Sequence, residues 1–322
     1  MKEIAFEFVS VIIATFNRNN YLKKAIESAK KQTYRNIEIL VIDDNSDPVL
    51  SEEVKKICLS EGVDAIKNFR NKGGCGARNS GILSAKYNYI AFLDDDDVWL
   101  PNKLELQMEA FNKTPNAVAV YCSQYGYYED FDFLADKVKI KEIMLPIDFF
   151  RGLCPESTSL VVVKKEKAIA AGMFDEKLMS FQDYDMWIKL SMLGPFVGLN
   201  LGLSIMRHHC HARTSMNLKK RIYSLDIIIE KWGSFIEKET DILHFRNFFI
   251  SSLYASHGRS SVTYAGSIYF KWLALVYDLQ NKNKWLIFIF SIFGNRFFWF
   301  FFKKRHATSK NNYSIIYEIK NK

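Results

Sequence analysis

Apolar residues change their spacing along this chain, and each change marks an element. Residues 9–14 (VSVIIA) form a nearly unbroken β-rich run, the pattern of a strand covered on both faces. Residues 19–31 then place Tyr21, Leu22, Ala25, Ile26 and Ala29 on one helical stripe. Residues 37–42 predict a second strand, 51–60 a helix, 65–69 a short strand, 75–86 a helix and 88–93 another strand. That βαβαβαβ order predicts a parallel sheet joined by right-handed crossovers. Its polar interruptions, at residues 15–18, 43–46, 71–76 and 94–97, fall on one edge of the sheet, where open α/β folds gather functional groups.

Further on, residues 103–111 predict a helix and 117–122 a strand. Residues 125–150 are aromatic and charged with little periodicity, an excursion of hairpin or loop; 159–163 is again β-like, and 184–193 is helical. Beyond residue 200 the texture changes to helices over 218–232, 242–254 and 266–277, followed by the aromatic run 285–302 (WLIFIFSIFGNRFFWFFF) and then Lys303, Lys304, Arg305 and His306. The expected organisation is one α/β domain over 1–215 with a helical, aromatic-rich region over 216–322.

Composition narrows the class. With 322 residues, 48% apolar and 15% aromatic, the chain is long enough for a sizeable core and is not disordered. Five cysteines, odd in number and without CxxC spacing, give no zinc signature and predict free thiols in a reducing compartment. No basic, apolar and small-residue succession opens the chain, so a cytoplasmic catalytic part is expected. The net charge of +8 is divided unevenly: residues 1–199 carry −4 and 200–322 carry +12. The basic residues of the tail flank apolar stretches and do not line a polar face, which argues against nucleic acid.

The chemistry concentrates at Asp94-Asp95-Asp96-Asp97, directly after an apolar strand. Carboxylates this close repel by about 1 kcal/mol per pair even in bulk water. A divalent cation relieves that repulsion; Mg²⁺ or Mn²⁺ takes carboxylate and water oxygens and holds a substrate phosphate at the same time. A solvated acidic turn is the alternative for the four aspartates taken alone.

Several motifs in order widen the picture: residues 9–18 (VSVIIATFNR), Gln32-Thr33-Tyr34, residues 37–46 (IEILVIDDNS), Asn71-Lys72-Gly73, residues 77–82 (ARNSGI), the acidic run, and residues 181–187 (FQDYDMW) preceded by Gly172-Met173-Phe174-Asp175. Together they resemble the family 2 glycosyltransferases of GT-A fold, including bacterial surface-polysaccharide enzymes, over residues 8–200. The resemblance implies a Rossmann-like mixed sheet flanked by helices and an inverting transfer of a sugar from a nucleotide-sugar, a UDP-sugar by preference, to a glycan or polyprenyl-linked acceptor. It implies Mn²⁺ or Mg²⁺ as cofactor.

On these positions the resemblance places the nucleotide against Ala14, Thr15, Phe16, Asn17, Arg18, Asp44, Gly73, Arg78 and Asp95. Phe16 offers a π-face to the base, Asp44 accepts from its edge, and Asp43 holds the loop. A core aromatic and an Asx-type turn are the plainer readings of Phe16 and of residues 43–46. The glycines of residues 73–76 precede a helix whose N–H groups can face phosphate. Arg78 pairs with either the acidic run or the diphosphate, or is a surface arginine. The DxD motif maps to Asp94-Asp95-Asp96, with Asp96 the metal ligand, Asp94 a ligand or its support, and Asp95 near the ribose. Asp183 is the base for the acceptor hydroxyl, with helix capping as its plainer role; Gln182 stands where the family usually has Glu. Trp187, Arg207 and His209 are candidates for leaving-group or acceptor contacts.

A haloacid-dehalogenase-type phosphatase also carries Asp-x-Asp-x-Val after a strand, but on its first strand. A non-catalytic sugar-nucleotide-binding subunit is the second class to weigh. In the tail, Asn295-Arg296 at the middle of residues 285–302 makes a single span costly. Two interfacial aromatic segments followed by basic residues fit a peripheral position on the inner face of the cell membrane, with an aromatic core helix pair as the alternative.

Overall fold

A computed structural model of the chain describes residues 7–208, 217–239, 241–260, 264–279, 284–285 and 288–289. The elements β1 (Val9–Thr15), α1 (Asn19–Lys30), β2 (Ile37–Asp43), α2 (Pro48–Glu61), β3 (Asp64–Lys67), α3 (Gly74–Ser84) and β4 (Tyr89–Asp94) follow one another as the spacing predicts. β1 lies between β2 and β4, parallel to both, so Ala14 stands opposite Ile42 on one side and Asp94 on the other. That register is what aligns the ends of the three strands. Gly81 of α3 explains how closely the helix sits on the sheet: a Cβ there would lie 2.5 Å from Ile12 Cγ2.

The second half adds β5 (Val98–Trp99), α4 (Lys103–Lys113), β6 (Ala119–Tyr128), β7 (Phe133–Ala135), β8 (Ile143–Met144), α5 (Pro146–Phe150), β9 (Val161–Lys164), α6 (Lys165–Ala170), α7 (Gln182–Ser191) and β10 (Phe196–His208). The main path of the sheet is β3-β2-β1-β4-β9-β6-β10-β5. β9 runs antiparallel to both β4 and β6, so the sheet is mixed. The aromatic excursion resolves into a longer β6 than expected, a hairpin return through β7, and β8 against the start of β10.

Both sheet faces are covered. On one, Val9, Val11, Ile13, Leu22, Ile26, Leu104 and Phe111 pack together. On the other, Ile12, Phe92, Phe149, Trp187 and Phe196 form the larger cluster, each burial of such a side chain contributing about 2–3 kcal/mol before entropy is counted. The helices α8 (Leu218–Glu239), α9 (Ile242–Ser260) and α10 (Tyr264–Val276) follow. Leu225, Ile228, Ile236, Phe245 and Ile250 join the same cluster, so α8 and α9 share the core of the sheet's second face. Of the aromatic run 285–302, only Trp285 and residues 288–289 are described. Among the described residues no helix is long and apolar enough to cross a membrane, and the four described cysteines are free.

Candidate active site

The strand ends of β1, β2 and β4 bring the predicted residues to one edge and tie them to one another. Asn17, at φ 53°, accepts from the Asp47 N–H through its Oδ1 and donates its own N–H to Ser46 Oγ (2.9 and 3.0 Å). Asp43 holds the next loop, accepting from Ser46 N and Ser51 Oγ. Asp44 is buried and accepts from Asn68 Nδ2 (2.6 Å) and from Gly73 N at 2.8 and 2.9 Å. The Gly73 N–H is thereby turned toward a carboxylate. Close packing fixes the following turn, since a Cβ on Gly76 would lie 1.9 Å from the Asn71 carbonyl oxygen. Phe16 is 38% exposed at this edge, outside the core, with the Lys72 ammonium 4.3 Å from its ring centre.

The acidic turn is neutralised from two sides. Arg18 lies 2.7 Å from Asp96 Oδ2 and 3.1 Å from Asp95 Oδ1, and Thr15 Oγ1 donates to Asp95 at 2.7 Å. Arg78 meets Asp94 at 2.5 Å, so it belongs to the acidic run and not to the surface. Thr158 donates to Asp94 and Ser157 to Asp97 (3.0 and 3.4 Å), while the Asp94 N–H reaches Ser159 Oγ. Burial pushes the Asp94 carboxyl up, but Arg78, Thr158 and Arg18 outweigh it and hold the group below its usual value. Asp95 goes the other way: burial raises it, Arg18 only partly opposes that, Asp96 adds to it, and its pKa is about 7.

Asp183 sits in the first turn of α7, with Phe181, at φ 57°, as the residue before the helix. Its carboxylate accepts from the Tyr184 N–H at 2.8 Å. Loss of solvent raises its pKa, with the Tyr184 N–H and Arg78 opposing and Asp94 adding to the rise. Arg78 therefore lies in the field of both the acidic turn and Asp183. From α8, Arg221 stands 5.5 Å over the Phe181 ring and within range of the Asp183 charge.

Two other candidates are placed differently. Trp187 is wholly buried among Phe92, Phe174 and Phe196. Arg207 is 4% exposed, donates to Glu129 at 2.8 Å and lies 5.7 Å over the Tyr21 ring. Its Nη2 is buried without a hydrogen-bond partner. Arg207 stands near the end of β10, where it pairs with Tyr127 of β6. His209 lies outside the described residues.

Sequence reasoning missed Asn68, which braces Asp44, and the hydroxyls of Ser157, Thr158 and Ser159 that line the acidic turn. The polar triplet immediately before the apolar run 160–163 was a readable signal; Asn68 carried none.

Among the described residues no three His, Cys, Asp or Glu side chains converge as a metal cage. The oxygens present are hard donors, and Asp95 Oδ1 is buried without a hydrogen bond, 3.1 Å from the Arg18 guanidinium. That set fits a hard divalent cation held by one or two carboxylates with the remaining ligands from water and phosphate.

The fold is GT-A. Its solved neighbours include S. aureus TarS in complex with UDP-GlcNAc (TM-score 0.56, 16% identity, 84% of this chain and 88% of that one). Another is the mannosyltransferase PcManGT from Pyrobaculum calidifontis in complex with GDP-Man and Mn²⁺ (TM-score 0.55, 15% identity, 89% and 84%). The family model described as Glycosyl transferase family 2 matches residues 10–162. A Rickettsia prowazekii protein described as an uncharacterized glycosyltransferase is 33% identical over 244 residues, 72% of each chain. The Escherichia coli UDP-Glc:alpha-D-GlcNAc-diphosphoundecaprenol beta-1,3-glucosyltransferase WfaP is 34% identical over 190 residues, 58% of this chain and 72% of its own. A Rickettsia bellii relative is 36% identical over 252 residues, of which this chain spans about a third of the length (34%). This chain belongs to glycosyltransferase family 2.

Proposed function

We propose that this protein transfers a sugar from a UDP-sugar to a hydroxyl of a glycan, or of a polyprenyl-linked glycan, with inversion at the anomeric carbon. The observation that carries the reading is the raised carboxyl of Asp183 beside an acidic turn already neutralised by Arg18 and Arg78. One edge thus offers a proton acceptor and a cation-balanced seat for a diphosphate.

In the proposed reaction Phe16 stacks on the base, Asp44 accepts from its edge, and Asp95 faces the ribose. Asp183 takes the proton of the acceptor hydroxyl, whose oxygen attacks the anomeric carbon opposite the diphosphate as the bond to the diphosphate breaks. Arg18 and Arg207 place positive charge where the leaving group gains negative charge. Mn²⁺ or Mg²⁺ would be held by Asp96, with Asp94 as ligand or support, and when bound supplies Lewis-acid stabilisation of the diphosphate.

The C-terminal region, 216–322, serves in this proposal as a membrane-facing part that brings the enzyme to a lipid-linked acceptor on the inner face of the cell membrane. Tyr269, Trp272 and Val276 are exposed along α10, and the aromatic and basic residues 285–305 follow. Flotation with anionic vesicles tests this: the full chain rises with them, and recovery only in the pellet fraction rejects it.

Calorimetry with UDP, GDP and TDP, with and without Mn²⁺, tests the donor site. Tight UDP binding that needs Mn²⁺ and is lost in Asp96→Ala is the expected result. Binding to none of these nucleotides rejects the reading. Binding without turnover across acceptors makes the chain a sugar-nucleotide-binding subunit.

A further inference from the structure

Beyond the donor edge, β6 and β9 pair only as far as Tyr121↔Val161 and then part. The gap forms a cavity of about 230 Å³, lined among others by Tyr121, Ser123, Gln124, Lys141, Cys154 and Glu156. Its hydrogen-bonding groups are unevenly used. The Tyr121 hydroxyl donates to the Lys141 carbonyl, the Ser123 hydroxyl to the Val138 carbonyl, and the Lys141 ammonium to Asp148 (2.5, 2.5 and 2.6 Å). The ammonium is paired with a carboxylate, and the two hydroxyl donors are spent within the wall.

The acceptors are not. Gln124 is 6% exposed; its Nε2 donates to Glu156 at 2.9 Å, which sets the amide's orientation, and its buried Oε1 receives no hydrogen bond. A buried carbonyl without a donor is destabilising unless something fills the role. Glu156 adds an exposed carboxylate at the mouth, with lone pairs beyond the one Gln124 uses. Such a wall offers open acceptors to a ligand rich in hydroxyl donors.

The cavity also lies where a reacting sugar belongs. Glu156 runs directly into Ser157 and Thr158, which donate to Asp97 and Asp94. At its other side the Cys154 thiol is pushed up by burial first and then by the nearby Asp183 charge. Glycosyl transfer brings two sugars to that interval, the one transferred and the one bearing the nucleophilic hydroxyl.

We propose that this cavity is a pyranose subsite in which Gln124 Oε1 and the Glu156 carboxylate accept from neighbouring sugar hydroxyls and so select the sugar. The inference rests on the glycosyltransferase reading of the edge beside it. The shared chemistry is a hydroxyl-rich ring; its source is the donor's sugar or the acceptor's.

The test compares wild type, Gln124→Leu and Glu156→Gln, the second removing the rim charge while keeping an amide oxygen that can accept from Gln124. Calorimetry reads UDP, UDP-glucose and UDP-N-acetylglucosamine, and saturation-transfer NMR reads methyl glycosides of glucose, galactose and N-acetylglucosamine on the UDP-saturated protein. A donor seat weakens UDP-sugar binding about tenfold in both variants with UDP unchanged. An acceptor seat instead reduces the glycoside signal about tenfold. The proposal is overturned if neither arm moves, or if UDP itself weakens by the same factor as the UDP-sugars. Failure of wild type to bind any nucleotide defeats the parent reading, while the glycoside arm still reads the cavity.

Discussion

The acidic turn after β4 and the acidic start of α7 hold their carboxylates in opposite ways. At the turn, Asp94 and Asp96 are matched by Arg78 and Arg18, and hydroxyls from residues 157–159 fill in around them. On α7, two residues separate two fates. Asp185 is wholly buried and compensated by Lys231 (2.9 Å), Trp232 Nε1 (3.0 Å) and Lys189 (3.3 Å). Asp183 is met by backbone N–H groups, that of Tyr184 and its own, and its pKa is raised. Charge that is matched by a movable arginine suits exchange for a ligand; a carboxyl kept short of partners suits accepting a proton.

The largest effect is expected where that contrast is sharpest. Asp183→Asn lowers transfer by about 10³-fold, within the span of general-base removal, while UDP affinity measured by calorimetry stays unchanged. In wild type the rate climbs with pH through the raised range of Asp183, since only the ionised carboxylate accepts the proton. The folded chain holds that proton more tightly than the unfolded one, so Asp183's contribution to stability is present below the ordinary carboxylate pKa and is lost as pH rises through the raised value. Thermal melts at pH 8 are therefore expected to find Asp183→Asn more stable than wild type; equal or lower melting temperatures there break the contrast.

Asp185→Ala tests the compensated partner. It takes the shared carboxylate from Lys189, Lys231 and Trp232 Nε1, leaving the lysines the Met173 carbonyl and Asp175, and is expected to cost about 3 kcal/mol in urea unfolding, as breaking a buried ion pair does. Next comes Arg78→Met, which leaves Asp94 facing Asp95 and Asp96; part of that site is open to water, so about 2 kcal/mol is expected. Least affected is Lys103→Met. Lys103 is fully buried, bonded to Gln107 at 2.7 Å and 4.1 Å over the Trp99 ring, and burial lowers its pKa to about 8. Replacement changes stability by no more than about 1 kcal/mol at pH 7. Its pH signature is specific: the folded chain gives up this proton near 8 and the unfolded chain near 10.5, so Lys103's contribution to stability rises across that window and is lost as pH falls through 8. The wild-type minus variant difference isolates it from the thiols and tyrosines.

The first half of the fold was legible because strands buried on both faces and amphipathic helices write their periods plainly, and α1, β1, β2 and β4 lie where residues 9–42 and 88–93 put them. Residues 125–150 were not, since Tyr125 and Tyr127 pack in a small cluster of their own with Leu134 and Ile205, contacts set by chain segments far apart. The edge residues were readable as types. Their partners were not: nothing in the spacing says that Gly73 N–H turns to Asp44, that Arg18 spans Asp95 and Asp96, or that Lys231 reaches from α8 to Asp185. Those depend on the register of β1 against β2 and β4 and on the packing of α8.

The loops at the sheet edge are stitched to one another, Asn17 to Ser46 and Asp47, Asp44 to Asn68 and Gly73, Thr15 and Arg18 to the acidic turn. Substitutions within such a ring report on one another and do not add. For inheritance this means the nucleotide end drifts as a block or hardly at all, with Ser157, Thr158 and Ser159 tied into it through Asp94 and Asp97, whereas the loop over residues 136–142 makes none of those stitches and can change in length or sequence. A change of sugar or acceptor would then fall there, on a grip whose parts cannot vary one at a time.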